Sequence, residues 1–113
     1  MKIVFFSESQ VMGKIPRDFS NARTEYAWMM ALDATHIPLP NVGHFSTTDE
    51  HFDLGIVIVP KTNPNIDLDE IRKSCDKVAV MQEGPHWYFQ DYSVSQQFHY
   101  YNLLRSADWV YCH

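Results

Sequence analysis

The segment Leu54-Gly55-Ile56-Val57-Ile58-Val59 holds no polar side chain and stops at Pro60. A strand with one wet face alternates apolar and polar residues, so an unbroken apolar run needs cover on both faces. Parallel sheets supply that cover, because each crossover between parallel strands lays a helix against the sheet. A strand is therefore expected over Asp53 to Val59. Two further segments read the same way, Lys2 to Phe6 and Lys77 to Met81. The longest apolar runs, Ile3 to Phe6 and Ile56 to Pro60, are far shorter than the roughly 20 residues that span a bilayer. No membrane span is expected.

Helical spacing fills the intervals between these strands. One helix is expected to start at Ser20 or Asn21, either of which can cap it, and to run to about Ala34. Ala22, Tyr26, Met29 and Leu32 or Met30 would form its sheet-facing side. A second helix is expected over about Asp67 to Cys75, with Leu68, Ile71 and Cys75 on one side, which makes Cys75 a buried thiol. A third is expected from about Asp91 to Ser106, with Val94, Phe98, Tyr101 and Leu104 facing inward. Thr35 to Leu39 reads as a short strand that Pro38 and Pro40 confine to an edge. Trp109 to Cys112 reads as the last strand, and the polar stretches 7–19, 41–52, 60–65 and 82–90 read as loops. The order β-α-β-β-α-β-α-β implies right-handed crossovers and a mainly parallel sheet. No helix follows the last strand, so one domain over residues 1–113 is expected, incomplete at its C-terminal end. Homo-oligomerisation is the other way of covering what is left bare.

Composition removes several functional classes. Hydrophobic residues make up 45% and charged residues 20% of the 113, a balance that suits a folded domain and not a disordered chain. The net charge is −5 and the nine Lys and Arg are scattered, so no basic surface for nucleic acid is expected. Glu8 follows the first apolar run too closely for a signal peptide, and a cytoplasmic location is expected. Cys75 and Cys112 are too few and too far apart for a disulfide framework or a zinc site. His36, His44 and His51 form no pair with metal-ligand spacing on one element, so no metal or cofactor is implied.

Ligands of open α/β sheets bind outside the carboxyl ends of the strands, near the point where strand order reverses. Four places qualify here: Ser7-Glu8-Ser9-Gln10, Pro60-Lys61-Thr62-Asn63, Gln82 to Tyr88, and His113. The common phosphate cradles are missing from them. Gly-x-Gly-x-x-Gly is absent, and Gly13-Lys14 is followed by Ile15 while Glu8 occupies the upstream glycine position of a P-loop. Pro60-Lys61 stands where a phosphoacceptor aspartate would follow its strand. Glu83-Gly84 puts a carboxylate beside backbone that a ligand can approach closely. His86 adds a group that titrates near neutral pH, and Trp87 and Tyr88 add flat faces of the kind that stack on sugar rings or bases. Packing over the sheet end is the competing role for these aromatics. Arg23, in the first turn expected for the first helix, suits an anionic group, with pairing to Glu25 or Asp18 as its alternative. Lys61 reaches the same edge, where solvation alone would also account for it.

With these edge loops in place, the chain resembles the N-terminal domain of GT-B glycosyltransferases. The likeness runs through Met1-Lys2-Ile3-Val4-Phe5-Phe6, Asn21-Ala22-Arg23-Thr24-Glu25, Lys77-Val78-Ala79-Val80-Met81-Gln82-Glu83-Gly84 and Leu104-Arg105-Ser106-Ala107-Asp108-Trp109-Val110. It implies a three-layer Rossmann-like or flavodoxin-like α/β domain with a mainly parallel sheet of about five strands. It also implies transfer of a sugar from a nucleotide-sugar donor to an acceptor hydroxyl. The N-terminal domain of that family holds the acceptor, so a sugar or other small-molecule acceptor is the expected partner. Donor binding belongs to a C-terminal domain, so this chain is expected to be inactive alone. Glu83 and His86 are the candidates for the catalytic base by their position at the crevice. Ser7, Glu8, Arg23, Lys61, Gly84, Trp87 and Tyr88 are the candidates for ligand binding. The alternative class is a small non-catalytic α/β module that binds a ligand or protein and works as an oligomer. A hydrolase or isomerase using Glu83 and His86 as an acid/base pair is the third reading.

Overall fold

The unalternating runs become the middle of one sheet. The structure is a computed structural model that describes residues 1–9, 12–14, 24–39, 50–59, 66–82 and 92–112. Its elements are β1 (Ile3–Ser7), β2 (Gly13–Lys14), α1 (Thr24–Ala31), β3 (Thr35–Pro38), β4 (Phe52–Ile58), α2 (Leu68–Arg72), β5 (Cys75–Gln82), α3 (Val94–Ser106) and β6 (Trp109–Cys112). The strands form a single sheet in the order β2-β3-β1-β4-β5-β6. Every neighbouring pair is parallel except β2 with β3. The chain is thus an α/β fold with a mostly parallel sheet of six described strands.

Burial follows from this order. In β1 the side chains of Val4 and Phe6 join one apolar cluster, with Val57, Val78 and Val80 of the sheet, Leu68 and Ile71 of α2 and Leu103 of α3. Ile3 and Phe5 join a second cluster, with Ile56, Ile58 and Met81 of the sheet and Tyr26 and Met29 of α1. Alternate residues of one strand therefore feed opposite faces, and both faces are covered. From β1 the chain steps outward to β3, then returns past β1 to β4 and continues to β5 and β6. When the direction of progression reverses, crossovers of one hand place their helices on opposite faces. The side chains of α1 on one face and of α2 and α3 on the other match that rule.

Several expectations change. The stretch 7–19, expected to be a loop, contains β2, whose Gly13 and Lys14 pair with His36 and Thr35. Two residues are too few to show periodicity, and Gly13 adopts a φ of 91°, a turn conformation. The prolines do not hold β3 at an edge, because it lies between β1 and β2. β2 pairs only with Thr35 and His36 and so never needs the amide that Pro38 lacks. α1 ends at Ala31, with Leu32 and Met30 substantially exposed. The stop is a Schellman motif: Ala34 N–H donates to Met29 O at 2.9 Å, Asp33 N–H donates to Met30 O at 3.3 Å, and Asp33 takes a φ of 50°. Lys14 holds that turn by an ion pair to Asp33 Oδ1 at 3.1 Å.

The other two helices also differ from their expected bounds. α2 is capped by Asp67, whose side chain accepts from Asp69 N at 3.0 Å, and it stops before Lys73. Cys75 is buried as expected, but as the first residue of β5 and not as a helical one. Ser93 caps α3 in a capping box with Gln96. The inward face of α3 is Tyr100 and Leu103, with Leu104 partly buried. Val94, Phe98 and Tyr101 are exposed at 69%, 67% and 57%, which overturns the expected face. The two stripes interleave on one helix, and both are apolar, so periodicity alone does not choose between them. Tyr100 packs on the ring of Tyr92, with centroids 5.9 Å apart, and Leu103 packs on the sheet, which together place this stripe inside.

Charges fasten the amino edge of the sheet. Lys2 N donates to Asp53 Oδ2 at 2.6 Å, and its Nζ pairs with Glu50 at 3.1 Å and lies over the Phe52 ring at 5.0 Å. His51 Nε2 and Asp76 Oδ1 are 2.7 Å apart on the same side. Asp108, just before β6, accepts from Val78 N and from the Arg72 guanidinium, both at 2.8 Å, while its own N–H donates to Val78 O. Arg72 also donates to Ser106 O. One carboxylate thereby joins α2, β5, the end of α3 and the start of β6. The Val78 amide and then Arg72 hold the Asp108 carboxyl below the usual aspartate range.

Two outcomes follow from this packing. A Cβ built on Gly55 would lie 2.9 Å from Cys75 Sγ and 3.4 Å from Phe6 Cε2, so the strand approaches its neighbours too closely for a side chain. Gly55→Ala is expected to lower stability by about 1–3 kcal/mol in urea denaturation, and adding Cys75→Ala is expected to restore part of that loss. Asp108 titrates lower in the folded than in the unfolded chain. Its stabilisation is therefore present above the ordinary aspartate pKa of about 3.9 and is lost as pH falls through the depressed value. Asp108→Asn is expected to flatten that part of the acid-unfolding profile and leave the slope above pH ~5 unchanged.

Candidate functional site

The reversal of strand order places the switch point between β1 and β4, which are neighbours in the middle of the sheet. At the carboxyl end of β1 stand Ser7, Glu8 and Ser9. Ser7 is the last residue of the strand and pairs in register with Pro38 of β3. Its side chain is buried beneath the edge, 1% exposed, on the face covered by α1. Glu8 is exposed at the edge itself, between two buried serines.

Four polar groups lie together under this edge. Ser7 Oγ is 2.7 Å from His36 Nε2 and accepts from Ser9 N–H at 3.2 Å. Ser9 Oγ is 2.6 Å from Tyr26 Oη. The reason for the meeting is the register. Phe5 stands opposite His36, so the imidazole lies one step back along the neighbouring strand from Ser7, on the same face. Tyr26 lies in the first turn and a half of α1, whose sheet-facing side it shares with Met29. All four residues are less than a tenth exposed, and His36 is wholly buried. A buried hydroxyl or imidazole without a partner costs about 1–3 kcal/mol, so such groups occur paired, as these are.

Of the residues singled out from the sequence, the structure thus describes Ser7 and Glu8 and brings them to one edge. Arg23, Lys61, Glu83, Gly84, His86, Trp87 and Tyr88 lie outside the described residues. Ser9 falls in the edge loop and Tyr26 on the sheet-facing side of the first helix, as expected, but their joining with His36 in one polar cluster was not expected. Their sequence signal is slight: a Ser-x-Ser at a strand exit, and a histidine between Thr35 and Ile37 in a short strand. Only the parallel register of β1 and β3 turns those two signals into one cluster.

Other chemistries find less support among the described residues. No group of three or more His, Cys, Asp or Glu there could hold a metal ion. No helix there is long and apolar enough to cross a membrane. Burial, and secondarily the charge of Asp76, pushes the Cys75 thiol up to about 12, so it carries almost no thiolate near neutral pH and is no nucleophile. No protein-family model, curated protein or solved structure matches this chain.

Proposed function

We propose that this chain is the acceptor-side domain of a nucleotide-sugar-dependent glycosyltransferase, a three-layer Rossmann-like unit that binds a sugar or similar small acceptor at the carboxyl edge of β1 and β4. The observation that carries this reading is the reversal of strand order between β1 and β4, with Glu8 exposed beside it. The sequence adds that the segments following β4 and β5 contain Lys61 and Glu83-Gly84-Pro85-His86-Trp87-Tyr88. A carboxylate, a glycine and flat aromatic faces suit a polyhydroxylated ring, which offers hydroxyls at its rim and C–H groups on its face. In the transfer itself, a base takes the acceptor hydroxyl proton as that oxygen attacks the anomeric carbon of the donor, and the nucleoside diphosphate departs. Glu83 and His86 are the candidates for that base. Donor binding falls to a second domain in such enzymes, and this domain holds the acceptor.

Saturation-transfer NMR on the 113-residue protein with neutral mono- and disaccharides tests the reading. Sugar signals are expected, and Glu8→Ala is expected to weaken binding about tenfold, the size of one charge-assisted hydrogen bond. Binding of free nucleotides with no response to any sugar would sink the acceptor-side assignment.

A second reading is a non-catalytic ligand- or protein-binding module that works as an oligomer, and β6 favours it. This edge strand leaves Trp109, Val110 and Tyr111 exposed at 58%, 41% and 49%, with Trp28 of α1 against Tyr111 at 6.2 Å between centroids. Exposed apolar edges are templates for pairing with another strand. On this reading, sedimentation velocity is expected to show a dimer that Val110→Lys returns to monomer. A wild-type protein that stays monomeric at every concentration rules it out.

A further inference from the structure

The buried cluster under Glu8 is polar where packing alone would favour apolar groups. Its neighbours on the α1 face are Phe5, Met29 and Ala34, and its members are the two hydroxyls of Ser7 and Ser9, the phenol of Tyr26 and the imidazole of His36. Replacing both partners of a buried polar pair by apolar groups of similar shape is often neutral for stability or even favourable. Stability is therefore a weak reason for these four groups to be polar. Directional hydrogen bonds do something that apolar contacts do not: they select one geometry for the atoms they join.

The atoms joined here belong to the first residues that leave the sheet at the switch point. His36 reaches Ser7 from β3, and Tyr26 reaches Ser9 from α1. Ser9 N–H closes back on Ser7 Oγ, so the segment is tied to itself and to the elements on both sides. Glu8 is the residue between the two ties, and it is the exposed one. We propose that His36 and Tyr26 are positioning residues that hold the Ser7–Ser9 segment in the geometry that presents Glu8 at the ligand edge. This rests on reading that edge as the binding edge. Binding constellations tolerate about 0.5 Å of misplacement, so a carboxylate on a segment leaving a strand needs support of this kind.

Amide hydrogen exchange followed by NMR tests the positional claim without any ligand. The reporter is the Ser9 amide, whose hydrogen bond goes to Ser7 Oγ and to neither ring. In Tyr26→Phe, which keeps the ring and removes one oxygen, and in His36→Phe, Ser9 exchange is expected to rise about tenfold relative to core amides such as Val57 and Val80. Exchange at Ser9 that stays at the wild-type rate in Tyr26→Phe overturns the proposal. So does a rise shared equally by the core amides, which would mark a purely structural role. Should His36→Phe unfold because Ser7 is stranded, Ser7→Ala/His36→Phe removes the two side-chain partners, giving up the acceptor of the Ser9 amide as well, and is expected to restore the fold. That double variant is then expected to bind sugar at least about fivefold more weakly than wild type despite its stability. Unchanged sugar affinity in both Tyr26→Phe and the double variant also overturns the proposal. A wild-type protein that binds no sugar refutes the glycosyltransferase reading, while the exchange rates still decide whether the segment is held as described.

Discussion

Two-sided burial of the central strands is the constraint on which the rest of this structure depends. The apolar stretches of β1, β4 and β5 lack a face that can meet water, and a single layer of helices would leave half of their apolar surface wet. Val4, Phe5 and Phe6 are consecutive and all completely buried, which is possible only with cover above and below. The reversal of direction after β3 achieves this. Because crossovers share one hand, stepping outward from β1 and then back past it puts α1 on one face and α2 and α3 on the other. The switch point is therefore a by-product of covering the sheet, and the candidate site inherits its location from a packing requirement.

The two edges of the sheet are finished differently. At the amino edge, Lys2, Glu50, His51, Asp53 and Asp76 pair across neighbouring strands in solvent, where each exposed ion pair contributes little by itself. Such pairs set where strands begin without demanding a unique interior. At the carboxyl end of β1 the side chains of Ser7 and Ser9 are turned inward, and their hydrogen bonds are shielded from water and directional. Asp108 follows a third pattern, a partly exposed carboxylate that gathers one amide and one guanidinium and so registers β6 on β5.

Much of the fold was legible in the chain, and the exceptions have physical causes. β6 falls at Trp109–Cys112 as expected, and the three buried runs differ from their expected bounds by one or two residues at each end. β2 was invisible because its pairing with β3 is a tertiary event with no local pattern behind it. The face of α3 was misread because Val94, Phe98 and Tyr101 and the pair Tyr100 and Leu103 are both apolar stripes at helical spacing. Which of them is inside depends on how the helix lies on the sheet, and Tyr92 is part of that answer. Within the candidate site, Ser7 and Glu8 are singled out by the sequence from their place after a strand. His36 was passed over because a search for metal-ligand spacing asks about one element, while its partner lies on another.

What the amino-acid sequence determined by itself is the class of architecture and the edge to examine. Continuous apolar runs separated by helical spacing demand a mostly parallel sheet covered twice, and the ends of those runs mark the carboxyl edge. Tertiary structure alone decided the strand order, the inward turn of Ser7 and its meeting with His36, Ser9 and Tyr26. Periodicity records which side chains must be hidden from water, since burial is a property of each residue in turn. It does not record which hidden residues meet, because the register that brings Ser7 to His36, 29 residues away in sequence, is settled only when the whole sheet assembles. Glu8 could be marked as a candidate from its position, but the support beneath it could not.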